Sequence, residues 1–244
     1  MITLHKIKDK ISEWWRYPQP SFLQKALIGL YTDVVDIDFT ARRLASEESA
    51  KYVLSHMRTA PNFKTDYDFH EWAVTQVNPE LLARGLILEF GVATGRTLNH
   101  FGKCFPLKTI YGFDGFDGLP EDWTSDFQAG HFGRQAFPTV RKNCELVVGW
   151  FDSTLPTFIQ QHTEPIAFLH IDCDLYSSTV TVLSLLKSQI VPGTIIIFDE
   201  YFNYPGWNLD EFKAWQEFVA ANGRTYEYIG YVGRHQKVAV RVTK

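Results

Sequence analysis

The segment LEFGVATGRT, residues 88–97, decides how the rest of the sequence is interpreted. It ends a short apolar run and carries Gly91 and Gly95 in a turn that opens into a helical pattern. Glycine in such a turn lets the backbone approach a ligand closely, and the N–H groups of the following helix terminus are free to bind it. The segment therefore predicts a strand, a ligand-binding turn and a helix.

The residues around this turn narrow the class of ligand. The glycine spacing matches neither the dinucleotide pattern G-x-G-x-x-G nor the Walker pattern G-x-x-x-x-G-K-[ST]. Glu89 precedes the turn, and a carboxylate there disfavours phosphate and favours a cationic ligand such as S-adenosylmethionine. The turn alone could be an ordinary β–α connection. Asp114, at the end of the next apolar run, favours the cofactor because it can accept two ribose hydroxyls.

Downstream of the turn, short apolar runs alternate with helical patterns. The predicted strands are LILEFGV, TIYGFDGF, CELVVGWF, IAFLHIDCDL and GTIIIFDEY. The predicted helices are TGRTLNHFGKCF, QAFPTVRKN, TLPTFIQQH and SSTVTVLSLLKSQI. This alternation indicates βαβ units, hence an α/β fold with a mostly parallel sheet. The tail RTYEYIGYVGRHQKVAVRVTK predicts an antiparallel edge hairpin.

The N-terminal third has a different character. LQKALIGLY, SAKYVLSHM and FHEWAVTQV carry apolar residues at spacings of three and four, as helices do. We therefore expect a helical N-terminal cap or lid at residues 1–80 and a cofactor-binding domain at residues 81–244. Ligands should lie at the carboxyl ends of the strands in that domain.

Composition excludes several classes of function. The 244 residues carry a formal net charge of −4, so no basic surface recommends a nucleic-acid partner. Three scattered cysteines fit neither a metal spacing nor a disulfide framework, which is typical of a cytoplasmic protein. Residues 1–20 are charged and amphipathic, unlike a signal peptide or a membrane span. A terminal helix of this kind, packed on its own domain or on a second subunit, is compatible with a homodimer.

Two acidic pairs end two successive predicted strands. Asp172 and Asp174 follow IAFLHI, and Asp199 and Glu200 follow GTIIIF. The helix between them should connect parallel neighbours, so both pairs are expected at one edge of the sheet. Four converging carboxylates repel one another unless a cation is present, and oxygen ligands suit a hard divalent ion such as Mg²⁺.

Simpler roles remain open for these residues. Asp174 or Ser177 could cap the following helix, although two acidic pairs on adjacent strand ends favour a metal site. His170, two residues before Asp172, is expected to be a buried strand histidine rather than a ligand.

The sequence resembles a known family in five segments that occur in the family's order. They are LEFGVATGRT, YGFDGFDGLPEDW, WFDSTLP, HIDCDLYSST and IIIFDEY, spread over residues 85–205. Together they are similar to the macrocin- and mycinamicin-type (TylF-like) sugar O-methyltransferases, a metal-dependent class I S-adenosylmethionine family. The resemblance implies a Rossmann-like methyltransferase fold.

The resemblance also implies a set of site residues. The turn from Glu89 to Thr97 would surround the methionine part of the cofactor, Asp114 the ribose, and residues 149–152 the adenine. The implied cofactor-binding residues are Glu89, Phe90, Gly91, Gly95, Arg96, Thr97, Asp114, Gly115, Phe151, Asp152 and Asp172. The implied metal ligands are Asp172, Asp199 and Glu200, and Asp174 matches the general base.

One position departs from the family, which usually has Asp-Asp-Tyr where this chain has Asp199, Glu200 and Tyr201. A longer glutamate can still ligate, but with altered geometry and metal preference. The related catechol-type enzymes have a lysine three residues after the first acid, where this chain has Leu175. That difference favours the sugar-modifying family.

These features together predict an S-adenosylmethionine- and Mg²⁺-dependent O-methyltransferase acting on a hydroxyl of a sugar or glycosylated natural product. Two alternatives stay open: an enzyme for a phenolic or peptide-derived hydroxyl, and a non-catalytic cofactor-binding protein. The acceptor is expected to contact the N-terminal helices and four aromatic residues of YFNYPGWNLDEF, unless that loop packs on the sheet edge. Those aromatic residues are Tyr201, Phe202, Tyr204 and Trp207. Tyr67 and His70 are candidates for a lid.

Overall fold

The computed structural model describes residues 36–244 and, upstream of them, Gly29. The predicted terminal helix of residues 1–20, with its dimer contact, and most of the helix LQKALIGLY lie outside the described residues. Among the described residues, no helix is both long and apolar enough to cross a membrane.

Helices and strands alternate along most of the described chain. From residue 36 onward the helices are α1 (Ile37–His56), α2 (Asp66–Thr75), α3 (Pro79–Arg84), α4 (Arg96–Cys104), α5 (Phe151–Gln161), α6 (Tyr176–Leu185) and α7 (Glu211–Asn222). The strands are β1 (Asn62–Phe63), β2 (Leu86–Phe90), β3 (Ile110–Asp114), β4 (Cys144–Val148), β5 (Ile166–Ile171), β6 (Ile195–Phe198), β7 (Tyr226–Val232) and β8 (Val238–Val242). A short 3-10 helix, Trp207–Leu209, precedes α7.

The described strands form one sheet in the order β1-β7-β8-β6-β5-β2-β3-β4. Strands β6, β5, β2, β3 and β4 are parallel neighbours, whereas β8 runs antiparallel to both β6 and β7. The predicted α/β class, parallel core and C-terminal hairpin are therefore confirmed. Because the parallel strands point the same way, the loops that follow them meet at one edge.

The hydrophobic core lies on both faces of the sheet because strand side chains alternate. Strands β2, β5 and β6 are buried along their whole length, which explains their unbroken apolar sequences. On one face Phe90 stacks on Phe113 with ring centroids 4.6 Å apart. On the other face Phe101 of α4 packs edge-on against Phe168 at 4.9 Å.

The predicted glycine turn follows β2. Gly91 and Gly95 have φ angles of +89° and +73°, which other residues rarely adopt. The Gly91 N–H donates to the Phe113 carbonyl at 2.9 Å, and the Asp172 N–H donates to the Phe90 carbonyl at 2.8 Å. A Cβ atom on Gly91 would lie 1.7 Å from the Asp172 carbonyl oxygen. The turn and the end of β5 are thus in direct backbone contact.

Residues 135–143, predicted as a helix, are irregular, so that prediction is wrong. Pro138 lacks the N–H that a helix interior needs. The side chain of Asn99 in α4 holds this segment instead. Its amide group donates to the Thr139 carbonyl at 3.0 Å and accepts the Arg141 N–H at 2.8 Å. Long-range hydrogen bonds of this kind leave no trace in helical periodicity.

The cap region is also not wholly helical from residue 36 onward. Asn62 and Phe63 form β1 and pair in parallel with Tyr231 and Val232 of β7. A strand of two residues is too short to produce a recognisable alternation in the sequence. Part of the predicted cap is therefore integrated into the sheet.

Candidate active site

A cavity of about 750 Å³ lies at the carboxyl edge of the parallel strands, where ligands were predicted. This volume falls within the usual range for small-molecule sites, roughly 300–1,000 Å³. The predicted cofactor-binding residues that line it are Gly91, Arg96, Asp114, Gly115, Phe151, Asp152 and Asp172. The predicted base Asp174 and the predicted ligands Asp199 and Glu200 line it as well. Most of the sequence predictions thus converge on one cavity.

Four of the predicted cofactor contacts lie outside the cavity wall: Glu89, Phe90, Gly95 and Thr97. The period-two alternation of β2 explains the position of Glu89, whose side chain is fully buried beside that of His170 on β5. A Glu89 carboxylate oxygen lies 3.7 Å from the His170 ring. In this structure Glu89 therefore belongs to the interior of the sheet rather than to the wall.

Asp114 fixes the shape of the glycine turn. One of its carboxylate oxygens accepts the N–H groups of Val92 at 2.8 Å and Ala93 at 2.7 Å. The other oxygen accepts the Phe116 N–H at 2.6 Å. A carboxylate offers about four acceptor sites, so Asp114 retains capacity for a ligand hydroxyl. It lies in the cavity wall as predicted and also organises the backbone around it.

Three carboxylates form a tight cluster in the wall. Oxygen atoms of Asp172, Asp174 and Glu200 all lie within 4.8 Å of one another. The strand ends at Ile171, and Asp174 has a φ of +61°, so the chain turns after Asp172 instead of continuing in an extended conformation. One buried Glu200 oxygen, Oε2, lacks a hydrogen-bond partner among the described residues. The cluster accordingly presents acceptor atoms without matching donors.

Burial and mutual repulsion shift the titration of this cluster. Desolvation and the nearby Asp199 raise the pKa values of Asp172 and Glu200 well above the usual range. The same two causes raise the pKa of Asp174 to about 7. A shift in this direction means that the charged forms are disfavoured until a positive charge is nearby. The chemistry of this donor set fits a hard divalent cation.

Asp199 has its own positive partners. Its Oδ1 accepts a hydrogen bond from the His170 ring at 3.3 Å, and its Oδ2 accepts one from the Lys237 ammonium group. Burial would raise the pKa of Asp199, but the hydrogen bond from His170 and the charge of Lys237 hold it below the usual range. Each oxygen still has a lone pair to offer, since one hydrogen bond uses only one.

His170 is a buried strand histidine, as predicted, and it contacts carboxylates on two sides. Burial alone would lower its pKa, yet the contacts with Asp199 and Glu89 raise the pKa to about 10. His70, a predicted lid residue, is only 4% exposed and packs against His170 with ring centroids 5.6 Å apart. Tyr67 is half-exposed and contacts His100. The pair contributes to packing around α2 and α4, and its role as a lid stays a prediction.

Lys237 and several residues of the cavity wall were not found in the sequence. Lys237 lies in the turn of the C-terminal hairpin, and only the pairing of β8 with β6 brings it to Asp199. Trp150 lines the cavity, is 40% exposed, and lies so close to Gly115 that a Cβ there would meet the indole ring at 3.4 Å. The range 149–152, implied for the adenine by the resemblance, already included Trp150, whereas nothing local in the sequence indicated Lys237.

The four aromatic residues predicted to face the acceptor are buried. Tyr201, Phe202, Tyr204 and Trp207 are between 0% and 9% exposed and belong to the main hydrophobic core. The Tyr204 hydroxyl donates to the Asp210 carboxylate at 3.0 Å, and Tyr201 shares a hydroxyl contact of 2.8 Å with Tyr228. Their prediction as acceptor contacts is wrong because the loop packs on the sheet, the alternative left open above.

Comparison with known proteins points to one family. The model of the TylF macrocin O-methyltransferase family matches residues 85–227, more than half of the chain. A curated relative from Streptomyces olivaceus, the 8-demethyl-8-(2,3-dimethoxy-α-L-rhamnosyl)-tetracenomycin-C 4'-O-methyltransferase, is 30% identical over 38% of this chain. The demethyldecarbamoylnovobiocin O-methyltransferase of Streptomyces niveus is 27% identical over 44% of this chain. The matched segments span 42% and 48% of these two relatives, less than half of each.

Solved structures support the same fold. A calicheamicin methyltransferase superposes with a TM-score of 0.55 at 20% identity, covering 99% of this chain and 94% of that one. The O-methyltransferase NovP gives a TM-score of 0.53 at 21% identity, covering 73% and 79%. At this level of identity the likeness establishes the Rossmann-like methyltransferase fold alone.

Proposed function

Because the chain belongs to the macrocin O-methyltransferase family, we propose that it transfers a methyl group from S-adenosylmethionine to a hydroxyl of a sugar or glycosylated natural product, with a divalent cation such as Mg²⁺. The observation that carries the proposal is the backbone contact between Gly91 of the glycine turn and Asp172 of the acidic cluster. A donor bound at the turn and an acceptor bound at the acids would share one cavity wall.

The cavity wall suits the proposed donor. Gly91 lines the cavity and carries no side chain, so a ligand can approach its backbone closely. Asp114 retains acceptor capacity for one ribose hydroxyl, and the exposed ring of Trp150 offers a flat apolar face for an adenine. When bound, S-adenosylmethionine would supply the methyl group as an electrophile.

The acidic cluster suits the proposed cation. Asp172 and Glu200 belong to the acidic cluster, and the buried Glu200 Oε2 has no donor in the described part of the chain. Asp199 is not part of that cluster but follows the same strand as Glu200 and keeps a lone pair on each oxygen. We propose Asp172, Asp199 and Glu200 as the ligands. His170 and Lys237 would orient Asp199 from outside, as partners behind a metal ligand commonly do. When bound, a divalent cation would lower the pKa of an acceptor hydroxyl.

Asp174 is the proposed general base. It lies in the cavity wall beside Asp172 and Glu200, and its left-handed backbone conformation holds it at the turn that follows β5. A carboxylate in this position can take the proton of an acceptor hydroxyl while the acceptor oxygen bonds to the methyl carbon. The bond between that carbon and the donor sulfur would break at the same time, and S-adenosylhomocysteine would leave. The remaining work of the wall is to align donor and acceptor.

A hydroxyl-rich acceptor agrees with the polar part of the cavity wall. The first turns of α6 contribute Ser177, Ser178 and Thr181 to the lining. The name of the Streptomyces olivaceus relative describes a rhamnosyl tetracenomycin as its acceptor. Both observations favour a sugar over an apolar ring.

The free cysteines Cys104, Cys144 and Cys173 agree with the proposed cytoplasmic location.

The proposal is tested by methyl transfer from labelled S-adenosylmethionine in the presence of Mg²⁺. The acceptor panel contains a rhamnosylated polyketide, its aglycone, a catechol and a free sugar. We expect label on the glycosylated compound and loss of transfer when a chelator is added. Equal labelling of the aglycone or catechol would contradict the sugar assignment. Tight cofactor binding without transfer to any acceptor would favour a non-catalytic binding protein.

The proposed ligand set makes a prediction for metal affinity. Replacing a direct ligand, as in Asp172→Asn or Glu200→Gln, should weaken Mn²⁺ binding by more than the roughly 10- to 100-fold expected for an outer partner. Asp199→Asn should weaken it equally, whereas Lys237→Met should produce the smaller effect. Calorimetric titration with Mn²⁺ alone measures the Mn²⁺ affinity of all four variants. An Asp199→Asn protein with nearly unchanged affinity would remove Asp199 from the ligand set.

A further inference from the structure

A second group of metal-binding side chains lies on the surface formed by α2 and α4. Glu71 of α2 and His100 and Cys104 of α4 offer one ligand atom each, and these atoms lie within 4.8 Å of one another. None of the three belongs to the cavity lining, so the group is separate from the acidic cluster. We name it the α2–α4 cluster.

The spacing of His100 and Cys104 suits one shared ion. The two residues are four apart in α4 and therefore project from the same side of the helix. The Cys104 sulfur lies 3.7 Å from His100 Nε2. Zinc bonds of about 2.3 Å to sulfur and about 2.0–2.1 Å to nitrogen, at a tetrahedral angle, place these atoms about 3.6 Å apart. The Cys104 sulfur and His100 Nε2 would therefore need to move very little to bind one zinc ion together.

Neighbouring residues restrict the His100 ring and affect the protonation of His100 and Cys104. The His100 ring contacts Tyr67 at 4.8 Å and Phe101 at 5.9 Å between ring centroids, which limits its rotation. Burial lowers the pKa of His100, so the neutral imidazole that binds metals predominates. Burial also raises the pKa of the Cys104 thiol, so binding would displace a proton from sulfur.

We propose that Glu71, His100 and Cys104 bind a thiophilic divalent ion, with Zn²⁺ as the natural candidate. A thiolate, an imidazole and a carboxylate form a softer set than the all-carboxylate cluster of the cavity. Glu71 is exposed and the other two are partly exposed, so a water molecule can take the fourth position. The ion would join α2 of the cap region to α4, whose first residue, Arg96, lines the cavity.

Cobalt titration of the whole protein tests this assignment, because a thiolate–Co²⁺ bond gives a charge-transfer absorption band that carboxylate ligation does not. We expect the band in the wild type and in the Asp172→Asn variant. It should disappear in Cys104→Ser and weaken strongly in His100→Ala. Lys103→Ala, an exposed neighbour on the same helix, is the matched control and should keep the band. Absence of the band in wild type, or its survival in Cys104→Ser, would overturn the proposal.

A second measurement separates zinc binding from a mere thiol–imidazole hydrogen bond. Zinc should displace cobalt from the wild type at lower concentration and should raise its thermal unfolding midpoint, since a ligand that binds only the folded state stabilises it. Cys104→Ser should show no such rise while retaining S-adenosylmethionine binding. Equal zinc stabilisation of the wild type and Cys104→Ser would place the ion elsewhere and contradict the site.

Discussion

Asp174→Asn is expected to reduce methyl transfer by roughly 10²- to 10⁴-fold, the contribution typical of a positioned general base. The asparagine amide has nearly the same size as the carboxylate but cannot accept a proton at neutral pH. Binding of S-adenosylmethionine should change little, because the glycine turn is held by Asp114 and by the contact between Gly91 and Asp172. Single-turnover transfer and calorimetric cofactor binding measure the two properties separately.

The same variant distinguishes a base from a metal ligand. Asp174 lies within 4.8 Å of Asp172 and Glu200, so the geometry alone would also allow it to ligate a cation. A base predicts Mn²⁺ affinity within a few-fold of the wild type, whereas a ligand predicts a loss as large as that of Glu200→Gln. Asp126→Asn, an exposed acid-to-amide change in the loop before β4, is the matched control. An Asp174→Asn protein that binds both ligands and turns over normally would refute the base assignment.

Features with local causes could be predicted from the sequence. The strand, glycine turn and helix at residues 86–104 follow from apolar runs, glycine placement and periodicity, all of which lie within a few residues. The acids at the ends of β5 and β6 could be brought together in advance because parallel strands with a helix between them end at one edge. That rule placed Asp174 and Glu200 in one cavity wall without any knowledge of side-chain contacts.

Features with distant causes could not be predicted from the sequence. The ion pair between Lys237 and Asp199 depends on the pairing of β8 with β6, which joins segments 38 residues apart. Glu89 was assigned to the cofactor by its place before the turn, but the alternation of β2 directs its side chain toward His170. An aromatic residue near a site can either pack in the core or contact a ligand, and the sequence alone does not distinguish the two. The burial of Trp207 was therefore evident only from the tertiary structure.

Gly91→Ala should destabilise the protein more than any other single change considered above. The added Cβ would lie 1.7 Å from the Asp172 carbonyl oxygen, a backbone atom that cannot rotate away. The left-handed φ of +89° adds a second penalty. Relief requires separation of the turn from the end of β5, which breaks the contact that joins the glycine turn to the acidic cluster. We expect a loss of about 4 kcal/mol or more in the free energy of unfolding, the range of exceptional substitutions.

Gly206→Ala isolates the conformational part of this effect. Gly206 has a similar φ of +85°, but a Cβ atom there meets nothing within 4 Å among the described residues. It should therefore lose only about 1–2 kcal/mol, the typical penalty for a left-handed residue with a side chain. Urea unfolding measures the free energy of unfolding of both variants, and equal m-values would show that the two free energies can be compared directly. Equal losses would mean that the turn moves freely away from Asp172. The larger loss in Gly91→Ala, with weaker Mn²⁺ binding in whatever fraction folds, would show that the turn and the acidic cluster are mechanically joined.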